Sequence, residues 1–127
     1  STRARVGTGD GVVIPGLVIA GENARTLLVR AVGPGLAAFG VSGALARPAL
    51  VVRSASAVVA ANSGWEASAD PGALVAAAQR TGAFALQSGR ADAALIATLP
   101  AGPWTIQVAG ADGGTGVVLI EVYDLGA

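Results

Sequence analysis

The chain contains no histidine, cysteine, methionine or lysine. All eight of its basic residues are arginine, matched by eight aspartates and glutamates, for a formal net charge of zero. Each absence removes a chemistry. Without imidazole, no side chain has an unperturbed pKa near neutrality. Without thiol or amine, thiolate nucleophiles, Schiff-base lysines and soft metal ligands are gone as well. Zero cysteine excludes a disulfide scaffold and leaves the compartment open. No apolar run reaches the ~18 residues of a spanning helix, because Pro15 and Gly16 interrupt Val12–Ala20. No basic run or basic amphipathic helix offers a footprint for nucleic acid or a membrane surface, so neither is expected as a partner. No signal peptide opens the sequence, and one removed on export would leave no trace.

What is present is apolar. Hydrophobic residues make up 53% of the chain, charged residues 13%, and mean hydropathy is +0.64. The charged fraction is about half the roughly 25% of an ordinary soluble domain. An alanine-rich composition is one explanation, since much of any protein surface is apolar. The other is a large permanent interface, because obligate contacts resemble a core cut in half. With 127 residues the chain is expected to form a single domain, 1–127.

Short apolar runs alternate with glycine-rich punctuation, the pattern of an antiparallel sandwich. Strands are expected near Arg5–Thr8, Val12–Ala20, Arg25–Val32, Ala49–Arg53, Ala57–Ala61, Ala83–Gln87, Ala93–Leu99, Trp104–Ala109 and Val117–Tyr123. One short helix is predicted over 71–80. Asp70 suits its N-cap, Pro71 its first position, and Gly82 its end. A long loop is expected over 33–48, with room for a helical turn at Leu36–Phe39. Arg25–Val32 and Val117–Tyr123 are apolar on both faces, which requires burial on both faces. One helix is too little to cover these strands and Val12–Ala20 as well, so other chains are expected to help.

The second half carries a resemblance. Ser88–Gly110 runs through an Asp-Ala-Ala-Leu strand (Asp92–Leu95), a Leu-Pro-Ala-Gly turn (Leu99–Gly102) and a Trp-Thr-Ile-Gln-Val strand (Trp104–Val108); a last strand closes on Tyr123-Asp124. This resembles the closing strands of bacterial pre-peptidase C-terminal domains, and residues 49–65, ending in Asn62–Trp65, resemble an earlier part of the same pattern. The whole chain resembles more closely one repeat unit of large secreted bacterial proteins. The motifs that carry this are Ser1–Asp10, Leu28–Pro34, Gly82–Phe84 and Asp92–Leu95. The resemblance implies an all-β, jelly-roll-like antiparallel sandwich with an extracellular or cell-surface location. Relatives often place acidic residues after the asparagine, where this chain has Ser63 and Gly64.

Site candidates are few. Asp10 and Asp112 sit in glycine-rich loops reminiscent of calcium loops. Each loop offers one carboxylate where calcium takes six to eight oxygens, so turn chemistry is the expected role and neither metal nor cofactor is expected. Glu66 and Asp70 are the only close acidic pair expected to share a loop, and Asp70 already has a cap to make, so no enzyme activity is expected. Arg25, Arg30, Arg47 and Arg53 flank apolar strands with Glu22 and Glu121 in range, either as ordinary surface pairs or as bidentate pairs between subunits. Trp65, in a loop with Asn62, is the candidate for a glycan platform. The leading expectation is a structural domain that forms a homo-oligomer or polymer through β-faces or edges. Val12, Val13, Ile14, Leu17, Val18, Ile19, Val117 and Leu119 are its expected contacts, and the segment Thr2–Ala20 its strand to be exchanged.

Overall fold

The computed structural model describes residues 2–6 and 12–126, with the backbone alone at 2–5 and 12–16. Its strands are β1 (Thr2–Val6), β2 (Val12–Ile19), β3 (Arg25–Val32), β4 (Pro48–Arg53), β5 (Val58–Asn62), β6 (Ala93–Leu99), β7 (Gly102–Gly110) and β8 (Gly116–Gly126). One helix, α1 (Pro71–Thr81), and 3-10 turns at Pro34–Phe39 and Trp65–Ala67 occupy the longer connections. Sheet A has the order β1-β8-β3-β6 and sheet B the order β2-β7-β4-β5. All strand pairs are antiparallel.

The pairing is nested. β4 pairs with β5, β3 with β6, β2 with β7 and β1 with β8. One long antiparallel ribbon has thus folded over on itself, and the β3–β8 and β4–β7 pairs seal each sheet. That winding is a jelly roll, and the expected all-β sandwich with one short helix is the fold of this chain.

Between the sheets lies the main core, built from alternate residues of each strand. Leu27, Val29 and Ala31 of β3 meet Leu50 and Val52 of β4, with Ile106, Val108, Val118 and Ile120 completing the layer. A second core sits on the outer face of sheet A. There Leu28 and Ala94 are covered by Trp65, Leu74, Ala77 and Ala78, with Leu86 and Tyr123 at its margin. The helix forms as its sequence dictates. Asp70 Oδ1 accepts the Ala73 N–H at 3.0 Å, Pro71 leads the first turn, and Gly82 ends the helix at φ +77°, a left-handed conformation that glycine adopts without strain.

This second core corrects two expectations. The two-sided apolarity of β3 and β8 is satisfied largely within the chain, by α1 and the segments around it, without a neighbour. Ala83–Gln87 is not a strand: it crosses the outer face of sheet A as irregular chain. Ala83 and Leu86 pack against the second core, and Phe84 against Arg30 and Phe39. An apolar run too short for its period to be distinctive reads as a strand by sequence alone.

Candidate functional site

Beneath α1 a cavity of about 100 Å³ opens on the outer face of sheet A. Leu28 and Ala94 form its floor, Leu74, Val75 and Ala78 its roof, and Ala83, Ala85 and Leu86 a side wall. Arg30, Trp65 and Gln79 are its polar members. The polar groups beside it form a chain. Arg30 and Glu121 face one another across the β3–β8 register, their side chains 1% and 7% exposed. Arg30 Nη2 lies 3.0 Å from Glu121 Oε1, with its N–H not directed along the contact, so the two act as a charge pair. Arg30 Nη1 donates to the Phe84 carbonyl at 2.7 Å, and its guanidinium lies 4.4 Å from the Phe84 ring centre. Phe84 in turn meets Phe39 edge-on. Tyr123 Oη donates to Glu121 Oε2 at 2.6 Å. Burial, then the bond to Glu121, pushes the Tyr123 hydroxyl up to about 12, so it holds its proton throughout the neutral range.

The second candidate is one long side of the sandwich. β5 and β6 are the end strands of the two sheets and lie against each other. Asn62 Oδ1 accepts the Ala94 N–H at 3.1 Å and ties them together. By strand alternation, the N–H groups of Ile96 and Thr98 point the same way as that of Ala94. Neither strand has a charged residue, and Val58, Val59 and Ile96 are 54%, 49% and 36% exposed. The opposite side differs: β1 carries Arg3 and Arg5, and Pro15 interrupts β2.

The expected assembly residues divide. The side chains of Val12, Val13 and Ile14 lie outside the described residues; their backbone pairs with Val108, Gln107 and Ile106 of β7 in the same chain. β1 likewise pairs with β8 of its own chain. Ile19 is buried in the main core, with Leu17 against it, and Val117 and Leu119 are half-buried in the interior strand β8. Val18 alone of the described group is open, at 59%. Asn62 spends its amide on the backbone, donating to Gly64 O and accepting from Gly64 N and Ala94 N. Trp65 is 7% exposed beneath α1, so its ring has no open face on which a sugar could stack.

Five further acidic residues are likewise engaged, while Glu22 is exposed. Glu66 accepts from Ser88 Oγ and Gly89 N, which lowers its pKa, and Asp70 caps α1. Asp112 accepts the Gly114 N–H in an Asx turn; Asp10 lies outside the described residues. Arg25 grips Asp124 through Nε and Nη2, a bidentate pair within one chain. Asp92, fully buried, entered the sequence reading only as the first residue of the Asp92–Leu95 motif, with no role assigned. Its Oδ1 accepts the N–H groups of Gly33 and Gly35 and fixes the turn that leaves β3. An aspartate leading into an apolar strand was its only signal. No family model, curated protein or solved structure matches the chain.

Proposed function

We propose that this chain is a non-catalytic structural domain that associates with further copies of itself, or stacks in tandem, along its β5/β6 side, in an extracellular or cell-surface setting. The observation that carries the reading is that side's composition: two adjacent edge strands, without charge, with exposed aliphatics and with no further strand partner among the described residues. Soluble β-proteins guard their edges with lysines, prolines, bulges or inward charges. Here such guards mark the β1/β2 side and are sparse on the other. Aliphatic side chains beside unpaired backbone groups suit strand-to-strand addition. A net charge of zero raises little long-range repulsion between copies. The location rests on the resemblance to repeat units of secreted bacterial proteins.

Light scattering across a concentration series, with electron microscopy of the same samples, tests the proposal. Mass is expected to rise with concentration and micrographs to show filaments or sheets. The double variant Val59→Lys/Ile96→Lys is expected to stay folded and monomeric. A parent protein that remains monomeric at millimolar concentration overturns the reading.

A further inference from the structure

The cavity under α1 has a chemistry that association does not use. Trp65, 7% exposed, and Arg30, 1% exposed, both line it. Trp65 Nε1 and Arg30 Nε are buried N–H donors with no acceptor among the described residues. A buried donor in this state has given up its hydrogen bond to water and received nothing in exchange. Apart from the exposed Gln79 the other walls are hydrocarbon, so an oxygen brought in by a ligand would meet two donors there.

Three features define what fits. Arg30 already faces Glu121 and gives its Nη1 proton to Phe84, so its charge is matched and a second buried anion would stand unpaired. The visitor is therefore neutral. A cavity of 150 Å³ accommodates the six heavy atoms of benzene, so one of about 100 Å³ takes about four. Val75 and Gln79, both exposed, form part of the rim and leave a way in. We propose that this cavity is a binding site for a small neutral molecule, mostly hydrocarbon, bearing one carbonyl or hydroxyl oxygen. That oxygen accepts the Trp65 indole proton, with the Arg30 Nε–H as second donor.

The chain contains its own reference for the test. Its other tryptophan, Trp104, donates Nε1–H to the Pro100 carbonyl at 3.0 Å, well away from the cavity. In the ¹⁵N-labelled protein the two indole N–H resonances, assigned with Trp104→Phe, are followed during titration with acetone and, separately, with isobutene, its hydrocarbon isostere. Acetone is expected to move the Trp65 resonance downfield, saturably, while Trp104 stays still. Isobutene, lacking the oxygen, is expected to bind about tenfold more weakly, the worth of one hydrogen bond. Ala78→Leu or Ala94→Val, each filling the cavity, is expected to abolish the response. A Trp65 resonance that stays still up to the highest acetone concentration at which the protein remains folded overturns the proposal. So does equal affinity for the two probes, or an undiminished response in a folded filled variant. If both filled variants unfold, the two titrations of the parent protein decide.

Discussion

At the scale of single residues, the buried charges set the terms. Arg30 and Glu121 hold one another on a face otherwise given over to aliphatics and aromatics. Removing one partner strands the other, so Arg30→Leu is expected to lower stability by about 3–5 kcal/mol. Replacing both, Arg30→Leu/Glu121→Leu, is expected to recover at least half of that loss, because a hydrophobic pair needs no desolvated countercharge. Urea denaturation of the two variants measures both values, and a double variant no better than the single one contradicts the account. Asp92 is a different case. It satisfies two buried backbone donors at a turn where Gly33 has no room for a side chain, since a Cβ there would strike the Leu45 carbonyl. Asp92→Ala leaves both N–H groups unsatisfied and is expected to cost on the order of 3 kcal/mol. Asp92→Asn keeps an acceptor oxygen and is expected to cost less. The same denaturation assay separates them.

At the scale of elements, α1 and the strand edges behave oppositely toward sequence reading. The helix was legible because its signals are local: a capping aspartate, a proline at the first position, a glycine past the end. Asp70→Ala removes the cap bond to Ala73 and is expected to lower stability by about 1 kcal/mol, or about 4 °C in Tm, read by calorimetry. The edges were not legible in this way. Nothing within Val58–Asn62 or Ala93–Leu99 says that these strands end their sheets, because edge position is settled by which strands pair. Sequence reasoning therefore expected the assembly surface at the longest aliphatic run, Val12–Ile19. The fold draws Ile19 into the core, and Pro15 interrupts that strand, while on the other side β5 and β6 end their sheets with Val58, Val59 and Ile96 exposed. Trp65 was likewise singled out in its loop, but its burial depends on a helix and a sheet that arrive from other parts of the chain.

At the scale of the whole molecule, the scarcity of titratable groups shapes the pH response. Asp124 has its pKa lowered by Arg25 and then by the Gly126 N–H, and Glu66 by Ser88 and then by the Gly89 N–H. A carboxylate with a depressed folded-state pKa adds stability that is present above its unfolded value, near 4, and is lost as pH falls through the folded one. Tyr123 has the opposite sign. Its pKa is raised from about 10 to about 12, so its contribution is intact below pH 10 and is lost as pH climbs toward 12. Melting temperature is thus expected to be flat from about pH 5 to 9 and to fall on both sides, with the alkaline fall shallower in Tyr123→Phe. A sharp loss of stability near pH 6 to 7 contradicts this. If copies associate, the plateau is also expected to rise with protein concentration, because partner binding stabilises the folded state.

Composition and local pattern determined the class of this protein: an all-β sandwich with one capped helix, poor in the side chains of catalysis. Those signals survive in sequence because each rests on neighbours within a few residues. The jelly-roll winding was expected through the resemblance alone, and Glu121 only as one of two carboxylates in range of four arginines. Tertiary structure decided both, together with the internal burial of the two-sided strands, the Asp92 clasp and the exposed aliphatics of the β5/β6 side. Each depends on residues tens of positions apart being brought together by the nested ribbon, such as Arg30 with Glu121 or Gly33 with Asp92. Periodicity can say that a strand is apolar on both faces. Which chain covers the second face is settled only when the sheets close.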